Sequence, residues 1–576
     1  MLKKRGMAGF GRTAGFGSPV VTVGKLLALG LLLAAAPPGQ QWSNVLYDRA
    51  DQFMFGNHPL YAAAYVAVFA FALLGMVIVP FLRSAYVRVA LVALIVVTIA
   101  ADQLFLDIAG HHLNIARLHI VWEVRGTAPD MIPAYAPYFV RSCLWVIALG
   151  AILAIPPART WSLGLRYGLV PLSAFVFVAA ITVRTKGDVQ EFLPPFSLPV
   201  ALAIVSTVED TESPVLPVEY SGPITPRIKH VVFIVDESVR GDSMEVNEPK
   251  HQNTPFLSQH KDHIINFGVA VAGANCSMPS RLMLRYGSRR EDFEGSGKRP
   301  SMWRPVIWRY AQRAGYRTVL IDPFKGDRYA YMYANEWRSI DQYVKEGELP
   351  TYLRDNAIAQ RLVELLKEDV PSFIYVNKFG THFPYELAFP PRFNNFTATP
   401  QSRDLAAYWS DALHNFYHDS DLENHEALNR SYSNAILWSV DGFFKNLLGR
   451  FDEDRVLLIY TSDHGQSLSE GGQRVSHCST QNAQVSEGLV PLFAVTGNPE
   501  IGSRLRTSAA RAFGQATHFE IVPTLLLAMG YQERWVKEHY GPSLFDVPLD
   551  RPRQFLIGGD AAPGKWFEGS RWMSVD

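Results

Sequence analysis

The sequence predicts a two-part chain: an N-terminal multi-span α-helical membrane domain, then an α/β domain built on a mainly parallel central sheet. Three observations carry this. Apolar residues pile up in the first third of the 576 residues. After Lys229, short β-branched runs alternate with amphipathic stretches, the pattern of a sheet covered by helices on both faces. Two of those runs empty into acidic residues, at the strand ends where ligands of such sheets collect.

Five segments have the length and composition of membrane helices: Val20–Ala36, Leu60–Leu82, Tyr86–Phe105, Tyr138–Ile155 and Gly168–Val183. The first is short and carries Lys25, and a signal peptide is its rival reading. Lys3, Lys4, Arg5 and Arg12 put the amino terminus in the cytoplasm, with Arg83, Arg88, Arg159 and Arg166 in later cytoplasmic turns. Five crossings then place everything after Thr185 outside, and Pro37–Pro59 and Asp107–Pro137 become external loops. The expected boundaries are 1–185 for the anchor, 186–227 for a linker and 228–576 for the external domain. Phe196–Val205, within the linker, is apolar enough to graze the membrane. A formal net charge of zero excludes a global basic footprint for nucleic acid.

In the external domain, strands are expected at Val231–Val235, Arg317–Ile321, Ser372–Val376, Val456–Tyr460 and Leu489–Val495, and helices at Trp308–Ala314, Arg354–Glu368 and Ser431–Leu448. Val456–Tyr460 runs into Thr461-Ser462-Asp463-His464-Gly465, delivering a carboxylate and an imidazole side by side. His230–Val235 runs into Asp236-Glu237-Ser238. Parallel neighbours bring these ends together, and charged groups beside core strands are paired or hold a metal. Asp236, Glu237, Asp463 and His464 are therefore candidate ligands of a divalent ion, zinc first, with manganese or calcium as alternatives.

Ser277, in Asn275-Cys276-Ser277-Met278-Pro279-Ser280-Arg281, is the candidate nucleophile and a further metal ligand; a hydroxyl there needs a base or metal to activate it. Arg281, one turn on if a helix begins here, would neutralise an anionic substrate or support the metal ligands. His382, in the loop after Phe373–Val376, and His477, beyond Gly471-Gly472, would each contact a phosphoryl oxygen or transfer a proton. His414, His418 and His425 lie in a polar acidic stretch and receive no role. Of the three cysteines, Cys143 sits in a predicted span as a small apolar filler. Cys276 and Cys478 each adjoin a candidate site residue, and an external compartment permits a bridge between them.

Taken in order, these pieces resemble the alkaline phosphatase-like and sulfatase superfamily over about residues 228–548. Ser277-x-Pro279-Ser280-Arg281 with Gly287 is similar to the sulfatase nucleophile signature, Asp463-His464-Gly465 to the second metal stretch, and His518, Pro523 and Thr524 to the closing helix. Glu237-Ser238-x-Arg240-x-Asp242 and Gly380-Thr381-His382-Phe383-Pro384 resemble motifs of its membrane-bound phosphoethanolamine transferases. The resemblance implies zinc on Glu237, Asp463, His464 and the nucleophile, with His382 and His477 on substrate. It implies a phosphatidylethanolamine donor, an envelope lipid (lipid A among them) or glycan as acceptor, and a periplasmic catalytic domain on the bacterial inner membrane.

Two features depart from the lipid A-modifying members. Ala274 stands where they carry a threonine nucleophile, and three cysteines cannot form their several disulfides. Asp236, where the transferases have glycine, matches the sulfatases instead. The alternatives are a membrane-tethered sulfatase with Ser277 oxidised to formylglycine, and a glycerol-phosphate transferase like the lipoteichoic acid synthases. A non-catalytic envelope scaffold is the reading from outside enzymology.

Overall fold

The computed structural model describes residues 18–35, 37–55, 58–109, 118, 128–157, 163–185, 192–207, 216–293, 304–324, 332–383, 385–390, 392–393, 395–396, 422–468, 470, 477–479, 483–558, 567 and 570–576. The N-terminal basic cluster, Arg159, Gly471-Gly472, His414 and His418 lie outside them. The chain forms two compact units, one of residues 1–118 and 135–207, the other of residues 119–134 and 208–576.

In the first unit each predicted span falls on a helix: Ser18–Gly30 continued by a π-turn, Pro59–Ile78, Ala85–Ala109, Ala128–Ala154 and Leu163–Thr185. Among the described residues, two helical stretches, Pro59–Phe81 and Ala85–Phe105, are long and apolar enough to cross a membrane. Pro37–Phe55, expected as an external loop, is a helix, and so is Pro194–Thr207 in the expected linker. Lys25, the residue that weakened the first span, is buried and donates to the backbone oxygens of Pro80 at 2.9 Å and Leu153 at 2.7 Å. Arg88 donates to Leu82 O at 2.7 Å and Ala154 O at 3.0 Å. The last carbonyls of a helix have no partner within it and favour a cation, so both charges serve as helix C-caps.

The second unit is built on a seven-stranded sheet in the order β2-β7-β6-β1-β5-β3-β4. Its strands are β1 His230–Asp236, β2 Ile265–Val271, β3 Arg317–Asp322, β4 Gln342–Lys345, β5 Ser372–Asn377, β6 Val456–Ser462 and β7 Leu489–Val495. Five of them, β6-β1-β5-β3-β4, run parallel, while β7 pairs antiparallel with both β6 and β2. All five predicted strands are present. The two additional strands of this sheet gave weaker signals. β2 is interrupted by Asn266 and a register shift before Val269, and β4 is a short, half-exposed edge. A separate hairpin, β8 Gln554–Ile557 with β9 Arg571–Ser574, closes the chain.

β1 and β6 are buried at every position, which is why they read as continuous β-branched and apolar runs rather than alternating ones. Their shared register decides the site. Asp236 pairs with Ser462, so Glu237 and Asp463 are the next residues on neighbouring strands at the same edge. The predicted helix at Ser431–Leu448 is instead Leu422–Ala435, a π-turn at Ile436–Asp441, and Gly442–Leu447. Thr351–Lys367 and Ile307–Arg313 cover the other two predicted helices within a few residues.

Candidate metal centre and nucleophile

Ser277 opens the helix Ser277–Tyr286, with Cys276 as its N-cap and Gly287, at φ 61°, ending it in the left-handed region glycine tolerates. This helix carries Ser277 to the carboxyl edge of the sheet. Ser277 Oγ lies 3.0 Å from His464 Nε2 and 3.4 Å from Glu237 Oε1. Glu237, Asp463 and His464 are buried, and each offers one ligand atom within 4.8 Å of the others.

The backbone bends sharply to achieve this. Ser238 holds φ 60°, a conformation a non-glycine residue adopts only under constraint. The constraint is visible: Ser238 N donates to Asp463 Oδ1 at 3.2 Å, and Ser238 O accepts from Tyr432 at 2.7 Å and Thr381 at 2.9 Å. Gly380, at φ 61°, passes so close that a Cβ would sit 2.3 Å from Asp236 Oδ1.

His464 Nδ1 is 2.6 Å from Gly465 O, which fixes that nitrogen as a donor and turns Nε2 towards Ser277 and Glu237. Burial alone would raise Glu237; the His464 hydrogen bond and the charges of Arg281, His464 and His382 instead hold it well below the usual carboxylate range. Asp463 is pushed up by burial and by the charge of Glu237. Burial would lower His464, yet Asp463 and Glu237 keep it protonated up to about 9. Two carboxylates crowded around an imidazole thus hold a proton where a divalent ion would replace it. The donor set of two carboxylate oxygens, one imidazole nitrogen and a hydroxyl fits zinc.

The predicted site residues divide. Ser277, Glu237, Asp463 and His464 converge. Asp236, expected among the metal donors, does not: its carboxylate accepts from Lys378 Nζ, from Tyr460 Oη at 2.8 Å and from Glu237 N at 3.0 Å. Successive side chains of a strand point to opposite faces, so adjacent carboxylates cannot both face Ser277. Arg281, expected to meet substrate, is fully buried behind the donors; its Nε donates to Asp463 Oδ2 and its Nη2 to Glu237 Oε2, each at 2.9 Å. Its placement is that of a support for these carboxylates rather than of a group open to substrate.

His477 stacks on His464, ring centroids 4.5 Å apart, with Nδ1 3.1 Å from Gln466 Oε1. Cys276 and Cys478 form a disulfide that joins the neighbour of Ser277 to that of His477. Cys478 N donates to Asn275 O at 2.8 Å, and Asn275 Nδ2 to Ser479 O at 2.9 Å, so the tie is sutured on both sides. His382 is half-buried, with Nδ1 2.6 Å from Phe383 O. His518 is buried, accepts from Gly273 N at 3.1 Å and is pushed down to about 3 by burial, a neutral structural residue. Asp322, Asn377 and Lys378 belong to the site's support and received no role from the sequence. All three stand at the carboxyl ends of β3 and β5, where the rule that found Asp463 applies equally.

The match to a sulfatase family profile extends over residues 229–531. The chain is 21% identical to a Kdo(2)-lipid A phosphoethanolamine 7''-transferase of Escherichia coli K12, over 54% of this chain and 53% of that protein. It is 22% identical to the phosphatidylethanolamine transferase Mcr-2 of Escherichia coli, over 65% of this chain and 68% of that protein. It thus spans about half the length of the first relative and two thirds of the second. The integral membrane lipooligosaccharide phosphoethanolamine transferase A of Neisseria meningitidis shares the fold, with a TM-score of 0.57 at 17% identity over 89% of this chain and 96% of that one. With more than half of its length matched by the family profile and the nucleophile signature at the edge of an alkaline phosphatase-like sheet, the chain belongs to the sulfatase family.

Proposed function

We propose that this chain is a membrane-anchored phosphoethanolamine transferase, with five spans in a bacterial inner membrane and its catalytic domain in the periplasm. The observation that carries the reading is Ser277 Oγ held 3.0 Å from His464 Nε2 at the mouth of a buried three-donor cluster. The names of the similar transferases and the apolar N-terminal helices support it.

The donor is phosphatidylethanolamine and the acceptor an envelope lipid, lipid A among them, or a glycan. A zinc ion held by Glu237, Asp463, His464 and Ser277 would lower the hydroxyl's pKa and stabilise charge at phosphorus. Ser277 Oγ bonds to the donor phosphorus, the phosphorus–oxygen bond to diacylglycerol breaks, and the serine proton ends on the diacylglycerol oxygen. His382 or His477 carries that proton. In the second half, an acceptor oxygen displaces Ser277, whose Oγ regains a proton from the acceptor. Anchoring beside a lipid donor raises its effective concentration at the site.

Ser277→Ala in full-length protein is expected to abolish transfer from labelled phosphatidylethanolamine, and wild-type protein to show a phosphoethanolamine adduct on the Ser277 peptide. Full transfer by Ser277→Ala would sink the reading. The nucleophile signature favours one second reading, a sulfatase, and the same peptide decides it: a mass lower by two hydrogens marks formylglycine.

A further inference from the structure

Behind the metal donors lies a row of polar groups. At one edge of the sheet stand Asp463 and Glu237, just past the ends of β6 and β1, and Asn377 and Asp322, the last residues of the neighbouring parallel strands β5 and β3. Arg281 spans the first three: besides its bonds to the two carboxylates, Nη1 donates to Asn377 Oδ1. Asn377 Nδ2 donates to Asp322 Oδ1 at 3.0 Å, and Tyr343 Oη donates to Asp322 Oδ2 at 2.9 Å. A guanidinium can only donate and a carboxylate can only accept, so the Asn377 amide has one allowed orientation. Asp322 sets it.

Arg281, Asn377 and Asp322 are fully buried. Burial pushes Asp322 up to about 6, against the hydrogen bonds of Asn377 and Tyr343 that pull it down. A buried carboxylate kept at such a cost is poorly explained by packing, which an apolar residue would serve as well.

We propose that Asp322 is a positioning residue of the metal centre, acting through Asn377 to fix the Arg281 guanidinium and hence the facing oxygens of Glu237 and Asp463. The assignment rests on the metal-dependent reading above. Its effect is on the geometry of the donor set, so it shows in metal affinity rather than only in turnover.

The test is zinc titration of metal-stripped, full-length protein in detergent micelles against a competing chelating indicator. Asp322→Ala is expected to weaken zinc binding roughly 10- to 100-fold, the usual cost of losing a group that orients a ligand. Asp322→Asn keeps an acceptor for Asn377 Nδ2 and is expected to stay within about threefold of wild type. Asn377→Ala should match Asp322→Ala, and the double variant should be no weaker than either single one, because both cut the same chain. A purely structural role would lower the melting temperature and leave the affinity unchanged. Wild-type affinity in Asp322→Ala, or full additivity in the double variant, overturns the relay while leaving the metal centre standing. If Asp322→Ala does not fold, wild-type affinity in Asn377→Ala overturns it equally. Wild-type protein that binds no zinc overturns the metal reading and the relay with it.

Discussion

Asp236 and Glu237 are adjacent, both buried, and at the end of the same strand, yet they belong to different chemistry. Asp236 shares the face of Val232 and Ile234 and meets Lys378, which also donates to Ser439 O at 2.8 Å and lies over the Phe443 ring. Glu237 turns to the opposite face and meets Arg281, His464 and Ser277. On the first face Lys378 meets two carboxylates, Asp236 and, at 3.6 Å, Asp355, whose oxygens also accept from Phe379 N and Gly380 N. On the second, two carboxylates share one guanidinium, and the surplus charge holds a proton on His464. Proximity to a functional strand end therefore does not make a carboxylate a ligand; further donor groups on its own face do, and Glu237 has His464 and Ser277 where Asp236 has Lys378 and Tyr460. Lys378 and Tyr460 occupy the oxygens of Asp236, whereas the imidazole and hydroxyl beside Glu237 suit a metal.

The comparison breaks if the two carboxylates respond alike. Glu237→Gln is expected to weaken zinc binding more than a hundredfold and to abolish transfer, since a first ligand is lost. The melting temperature of the metal-free protein should move little, because glutamine still accepts from Arg281 and the repulsion with Asp463 is relieved. Lys378→Met should do the reverse, costing about 3–5 kcal/mol of stability by stranding a buried charge while folded molecules keep their zinc affinity. Burial already lifts Asp236 to about 6, although Lys378 pulls it down. A carboxyl whose folded pKa is raised contributes most below its unfolded value and loses that contribution as pH rises through the folded one. The Lys378→Met defect should therefore shrink towards pH 4 and grow towards pH 8, as read by thermal unfolding across that range.

A smaller effect is expected from the disulfide. Opening the Cys276–Cys478 loop should cost about 2–4 kcal/mol of stability. It should also release His477 from His464, lowering turnover roughly ten- to hundredfold, as small misplacements of a catalytic group do. Cys276→Ser/Cys478→Ser, assayed well below its melting temperature, separates the two. Full turnover there would show that His477 is held by Gln466 and stacking alone, and that the metal-facing side needs no covalent tie.

How much of this was legible depends on which physics wrote it. β1 and β6 are uniform apolar runs because both their faces are covered, and a sequence displays that directly. The convergence of Glu237 with Asp463 followed from parallel neighbours ending together. What was hidden is orientation. Whether Asp236 or Glu237 faces Ser277 depends on strand register and on Lys378, more than a hundred residues away, which no local pattern reports. Arg281 was visible as a cation near the nucleophile, but its burial depends on Asn377 and the strand order β1-β5-β3. The partners of Lys25 were hidden for a related reason: they are helix ends elsewhere in the chain.

The amino end of β1 offers the mildest test of the same contrast, because there a titratable group has neither a metal nor an opposite charge to settle it. His230 opens the strand, 1% exposed, and its pKa falls to about 4 because of burial first and the charges of Lys229 and Arg455 next. Folded protein thus holds this imidazole neutral, while the unfolded chain protonates it near pH 6.5. A histidine with a depressed folded pKa contributes its stability in full above the unfolded value, and that contribution drains away as pH falls towards the folded one. Between pH 6.5 and 5 the loss is on the order of 1–2 kcal/mol, at most about 1.4 per pH unit for a single group. His230→Gln, which cannot take up a proton, should flatten this limb of the stability profile in thermal unfolding of the full chain, leaving the limb set by Asp236 unchanged. An equally steep acid limb in His230→Gln would overturn this assignment, since Asp236, with its raised pKa, changes stability in the opposite direction over this range.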